Sequence, residues 1–349
     1  MASGSNDLWN AEVRSGDAPP VEKSGWRSGL AGLRWNGGTA ARAKRILLGQ
    51  NINDGVLFKI ALYIVLLSIA VMYIQPVLYM LATSFKSMSD LLDQSVTYIP
   101  RQFDLQGYDD AWIGLDYLKA LWQTTYMSLS AAILQVLSCG LTGYAFARLR
   151  IPFKNVLFFI VLLTFLIPPQ VLVIPLYVTY AKLNWTKTAL PFIIPAIFAA
   201  GLKASLFIII YRQFFATLPK ELEESAKIDG AGPFRTFVKV MLPLARPAIL
   251  IVFLFSIVWH WNDYFEPSVY LQASQANDFV PLALRLDRMQ EALNLHKSLA
   301  TGQNVHLIFD MNEPLKMAGA ILIIGPMLFL YMFAQRYFVQ GIERSGIVE

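Results

Sequence analysis

The sequence predicts an all-α integral membrane protein, and three observations predict it. Hydrophobic residues fill 56% of the 349 positions and charged residues only 15%, too apolar a balance for an ordinary soluble domain of this length. About six apolar runs are long enough to cross a hydrocarbon core, which takes roughly 20 residues per helix. Lysine and arginine gather in alternate connections between those runs, the asymmetry that orients a multi-spanning chain. The formal charge of +5 says little in total; its placement is what informs.

In chain order, residues 1–50 are rich in Gly, Ser, Ala and Arg and carry no helical period. They read as a flexible, basic cytoplasmic extension ahead of a transmembrane domain over 51–349. Arg42, Lys44 and Arg45 just before the membrane favour anionic headgroups or simply mark the inner side. No cleavable leader is expected, because the first apolar run begins near Val56 and is too long for one. The runs lie near 57–83, 118–147, 156–181, 189–211, 246–271 and 315–337. Pro76, Pro168, Pro169, Pro175, Pro195 and Pro326 interrupt several of them. Backbone groups freed by such breaks must be satisfied by neighbouring protein or by a wet cavity.

Orientation follows from the connections. Arg148, Arg150 and Lys154 follow the second run, and Lys220, Lys227, Arg235, Lys239 and Arg246 follow the fourth. Residues 86–117, by contrast, hold Asp90, Asp93, Asp104, Asp109, Asp110 and Asp116. Both termini and the loop after the fourth run are therefore expected inside. The connection 272–314 is expected outside, with a short surface helix in ALRLDRMQEALNLHKSLA. That helix would touch an external protein or cover the pore mouth.

The most informative interruption is PKELEESAKIDGAGPFRTFVKVMLPLARP, residues 219–247. Pro219 suits a helix's first turn, Gly230 and Gly232 end that helix, and Pro233 opens a second. Leu222, Ala226 and Ile228 offer apolar surface to bury. Ala226 and Gly230, four apart, would share a face that a partner approaches closely.

The spacing Glu224-Ser225-Ala226, three residues, Gly230, nine residues, Val240, one residue, Leu242-Pro243 carries a family likeness. It closely resembles the EAA-x3-G-x9-I-x-LP loop of ABC importer membrane subunits, within them carbohydrate-type permeases similar to the maltose-system subunits. Further matches at PLYVTYAKLNWTKTAL (175–190), RQFFATLPKEL (212–222), Trp261-Asn262-Asp263 and QRYFVQGI (335–342) extend it over most of 56–349. Ser225 replaces the usual alanine, conservatively in size. The resemblance implies a MetI-like type I importer permease fold with a cytoplasmic coupling helix in the loop 218–243. There Glu221, Glu224, Ser225, Ala226, Asp229, Gly230, Leu242 and Pro243 would engage an ATPase. It also implies a second homologous permease subunit, two ABC ATPase subunits and an external solute-binding protein at a bacterial-type plasma membrane. ATP and Mg would bind those ATPases, and no cofactor is expected in this chain. The tail QGIERSGIVE (340–349), too short to fold alone, would be ordered by the ATPase pair.

The missing chemistry agrees. No G-x-x-x-x-G-K-[ST] occurs, and Gly-Lys never appears, so the chain has no phosphate-cradling loop. His260, His296 and His306 lack zinc-type spacing, and the single Cys139 precludes an internal disulfide. No metal, catalytic residue or nucleic-acid partner is expected.

Polar residues inside the runs are then the candidate solute path, since charge at membrane depth is costly and functional by default. They are Lys203, His260, Trp261, Asn262, Asp263 and Tyr264. Lys203 would face a wet cavity or a second subunit, or snorkel toward the inner surface. The helical rise makes its pairing with Asp263 unexpected. The cluster at 260–264 mixes aromatic faces with hydrogen-bonding groups, which suits a sugar and equally suits helix-to-helix contact. The expected function is ATP-driven import of a sugar, oligosaccharide or polyol by alternating access. The alternatives are import of another small polar solute, a secondary transporter with ion-coupling acids in its spans, or a membrane scaffold.

Overall fold

The computed structural model describes residues 55–93, 95–271, 278–302 and 312–346. The extension expected over 1–50 and parts of the connection 272–314 lie outside the described residues. All regular structure among the described residues is helical.

Contacts divide the chain at Met72, within its first helix, and the two parts are described separately. Helix α1 (Val56–Ser84) crosses that division and is long and apolar enough to span a membrane. Before the division it exposes Leu57, Ile60, Tyr63 and Leu67, side chains that suit a hydrocarbon surrounding.

In residues 73–349, α2 (Met88–Leu92) and α3 (Gln106–Gly114) lead into α4 (Tyr117–Arg148), 32 residues long. Helix α4 is the hub. It packs against α7 (Leu190–Ile197), α8 (Ala204–Thr217) and α12 (Arg246–Asn262). One apolar core joins Ala111, Leu115, Trp261 and Leu282 to Leu315 of the last helix, α16 (Glu313–Gly346). Another gathers Cys139, Tyr144, Phe207, Tyr211, Phe215, Phe237 and Met241.

Three of the expected spans are broken. The run at 156–181 forms α5 (Lys154–Leu166) and α6 (Pro169–Lys182), bent by 98°. Adjacent Pro168 and Pro169 explain the break: proline supplies no N–H and pushes the residue before it out of the helical region, as Ile167 shows with ψ 123°. The run at 189–211 is two helices, α7 and α8, rather than one. Between them Ala199, Gly201 and Lys203 all have positive φ, so Lys203 precedes a helix instead of lying inside one. The run at 246–271 ends its helix at Asn262. Asp263 Oδ1 then accepts from the backbone N–H of Phe265 at 3.1 Å and of Glu266 at 3.4 Å, starting α13 (Phe265–Tyr270). Residues Pro233–Leu244 meet α12 at 81°. Among the described residues three helices can cross a membrane by length and composition, or up to five if each bent pair is one span.

The surface helix expected within 283–300 is present as α14 (Leu282–Arg285) and α15 (Met289–Thr301). Lys297–Asp110 at 2.8 Å and Arg285–Asp116 at 3.3 Å hold it to α3 and the start of α4. Gly114 admits it, since a Cβ there would stand 2.7 Å from the Met289 carbonyl oxygen. The tail does not form a segment of its own; α16 continues through Gly346.

Candidate functional site

The loop at 219–247 folds as α9 (Glu221–Ile228), α10 (Pro233–Thr236), one π-type turn (Phe237–Met241) and a short turn, α11 (Leu242–Leu244). Glu221, Glu223 and Glu224 crowd the first turn of α9, where the helix dipole favours anions. Pro219 stands ahead of the helix, not in its first turn. Gly230 ends the element with φ +73°, a conformation that costs glycine nothing. A Cβ there would meet open space, so no described residue competes for that surface.

Glu221, Glu224, Ser225, Asp229 and Gly230 are all exposed. The Ser225 hydroxyl donates to the Glu221 carbonyl at 2.9 Å, which keeps its polarity inside the helix. Ala226 is buried in its own chain and Gly230 lies past the helix end, so the shared face expected of them does not form. Leu222 and Ile228 are exposed rather than buried, Ile228 by 87%. With Phe234, 70% exposed, Ile228 makes the elbow an apolar tip beside acidic side chains. Leu242 and Pro243 sit apart from α9, at the junction with α12.

The inward face of α9 carries Glu223. Its carboxylate lies 3.5 Å from Arg148 Nε, with the two side chains only 11% and 6% exposed. Arg148 also donates from Nε to the Phe215 carbonyl at 2.8 Å and from Nη2 to the Leu218 carbonyl. In the sequence Arg148 is legible only as a marker of the inner side. The missed signal is that Glu223 shares the three-residue spacing of buried Ala226.

A cavity of about 500 Å³ opens among α5, α6, α7, α8, α12 and α13. Lys203, His260, Glu266, Tyr180 and Tyr270 line it within largely apolar walls. Irregular backbone at 198–203 forms one side, and carbonyls of this stretch and of the last turn of α7 are met from α4. Gln135 Nε2 donates to the Leu202 carbonyl at 3.0 Å, and Ser138 Oγ to the Ala196 carbonyl at 2.6 Å. Gln135 is fully buried and accepts from Ser256 Oγ at 2.7 Å. His260 Nδ1 donates to the Ser256 carbonyl at 2.8 Å. Lys203 Nζ lies 5.6 Å from the Trp259 ring centre, within cation–π reach. The cavity thus offers an ammonium group, a carboxyl group and an imidazole.

A second cavity of about 450 Å³ takes Trp261, Asn262, Tyr264 and Asp287. Here Trp261 Nε1 donates to the Ile323 carbonyl at 3.1 Å, Tyr264 Oη to Asp287 at 2.7 Å, and Asn262 Nδ2 to the Val258 carbonyl at 2.9 Å. The six candidates for a solute path therefore do not form one site. Lys203 and His260 share the first cavity, Trp261, Asn262 and Tyr264 the second, and Asp263 caps α13. Glu266, Gln135 and Ser256 were not anticipated; only the cost of polar groups in an apolar run marked them.

Interrupted apolar helices around cavities that hold a few polar side chains, with a helix–turn–helix exposed at one loop, suit a membrane permease. The chain belongs to the family of binding-protein-dependent transport system inner membrane components, whose model matches residues 139–344. It is similar to the arabinooligosaccharides transport system permease protein AraQ of Halalkalibacterium halodurans, 29% identical over 283 residues, 80% of this chain and 92% of the relative. It is also similar to the osmoprotective compounds uptake permease protein GgtD of Synechocystis, 28% identical over 83% of this chain and 92% of that one. Among solved structures, a bacterial ABC transporter involved in the import of the acidic polysaccharide alginate shares the fold. Its TM-score is 0.67 at 23% identity, over 81% of this chain and 96% of that chain. The family is one of transport permeases in the inner membrane, not of enzymes.

Proposed function

We propose that this chain pairs with a second, homologous permease subunit to form the path by which a sugar, oligosaccharide or polyol is imported. Two ATPase subunits bind from the cytoplasm, one of them on α9 and its elbow, and an external solute-binding protein delivers the solute. ATP and Mg bind on the ATPases. Their closure moves α9, the spans rock to face outward, and hydrolysis resets the inward-facing state. Both termini and α9 lie inside, while α14 and α15 lie outside.

The observation that carries this reading is the exposed elbow: Glu221, Glu224 and Asp229 beside Ile228, Gly230 and Phe234. An exposed apolar tip ringed by charges of both signs, Lys227 and Arg235 included, suits a cleft on another subunit. The solute class is supported by relatives named for arabinooligosaccharides and diacetylchitobiose, and by the mixed donors and acceptors of the Lys203 cavity. The test is reconstitution with the cognate ATPases and binding protein, the binding protein being assayed first against a panel of sugars and polyols. Uptake and stimulated hydrolysis with a sugar it binds support the reading. ATP-independent uptake driven by an ion gradient would contradict it.

A further inference from the structure

We propose that the last turn of α4, carrying Tyr144 and Arg148, is where the spans receive movement from α9. The proposal rests on the reading of α9 as the ATPase docking element and names the residues that pass its motion on.

Tyr144 and Arg148 stand four apart and so share a helical face. Between them they hold the docking element at three points. Ahead of α9, Arg148 bonds the Phe215 and Leu218 carbonyls that end α8. Within α9, it pairs with Glu223 at 3.5 Å. Beyond α9, the Tyr144 ring packs on Phe237 with centres 5.2 Å apart, and on Phe215 at 5.7 Å. Tyr144 is only 2% exposed, and both charges of the ion pair are buried. Separating α9 from Arg148 would strand a charge away from water, which is far costlier than moving the pair together. Helix α4 must therefore follow α9.

The same helix carries the displacement to the cavity. Gln135 lies on α4 at about 1.5 Å of rise per residue from Arg148, roughly 20 Å along the axis. There it holds the Leu202 carbonyl beside Lys203 and accepts from Ser256, one turn from His260. Glu223 and Arg148 are thus positioning residues: they touch neither nucleotide nor solute, and they fix how far α4 moves when α9 does.

The test uses the assembled transporter, purified through a tag on this chain, in a Cys139→Ala background with Ser205→Cys on the cavity wall. Maleimide labelling of that cysteine is timed with and without ATP and Mg. In the parent, ATP is expected to change the rate. In Arg148→Met the ATP effect should shrink by roughly two- to thirtyfold while ATPase subunits still co-purify. Arg148→Lys should restore part of it. Should Arg148→Met fail to assemble because Glu223 is left unpaired, the double variant Arg148→Met, Glu223→Met removes both charges and is read instead. It should assemble and answer weakly to ATP. A full ATP response in either assembled variant would overturn the proposal, and so would failure of both to assemble, which would make the pair a static clamp. A parent complex with no ATP response would overturn the proposed function too.

Discussion

Gly143 lies so close to Tyr211 that a Cβ built on the glycine would stand 2.5 Å from the tyrosine's own Cβ. Helices α4 and α8 approach at that point because one of them has no side chain there, a common device where membrane helices cannot rely on hydrophobic driving force. Gly140, one turn away, differs: its Cβ would meet the Tyr211 ring at an ordinary 3.5 Å. Gly143→Ala should therefore cost about 1–3 kcal/mol by overpacking, and Gly140→Ala very little. Thermal unfolding of the detergent-extracted complex checks this. Equal melting temperatures for the two variants would mean that α4 and α8 are not so tightly fixed.

The two cavities give opposite expectations. Lys203 and Glu266 face a cavity bordered by irregular backbone. Lys203→Met and Glu266→Gln should each cut solute uptake by vesicles about tenfold or more while leaving ATPase co-purification intact, as expected for ionisable groups kept at membrane depth for function. Normal uptake in both would remove this cavity from the solute path.

Trp261 is bonded across the bundle to the Ile323 carbonyl and is 3% exposed. Trp261→Phe should lower stability by about 1 kcal/mol, the value of one hydrogen bond, with uptake affinity unchanged. A rise in the KM for uptake without loss of stability would instead place the indole against the solute.

Topology follows from the charges. Single cysteines at positions 104 and 294 should react with an impermeant maleimide in sealed cells, and one at position 224 should not. Native Cys139 is buried in the described structure and adds little background. Strong outside labelling at position 224 would invert the orientation.

Much of this architecture was legible in the sequence because its causes are local. Apolar length marked the spans, and Gly230 between two short amphipathic stretches marked the elbow. Prolines warned of interruption, and the helix does stop ahead of Pro168; Pro195 stays inside α7, and the break that follows at 198–203 left no mark in the apolar periodicity. The partnerships were less legible. Arg148 and Glu223 are far apart in sequence, and a basic residue at a span end already had a sufficient explanation. The split of His260 from Trp261 reflects the 100° turn between neighbours on a helix, which sends adjacent side chains to different cavities. Leu222, Ala226 and Ile228 were legible as apolar surface to bury, but one sequence does not show that Ala226 alone of the three packs within the chain.

Coupling of this chain to an ATPase through α9 and its elbow is best tested by Gly230→Asp. The left-handed backbone at φ +73° would carry a side-chain penalty of about 1–2 kcal/mol, while the chain itself leaves room for the new carboxylate. Bulk and charge would therefore fall on the docking surface, and the spans should still insert. The measurement is co-purification of the ATPase subunits together with solute-stimulated ATP hydrolysis in vesicles. The variant should be expressed normally and have lost ATPase recruitment or stimulated hydrolysis; full recruitment with undiminished hydrolysis and uptake would mean that α9 is not the coupling element.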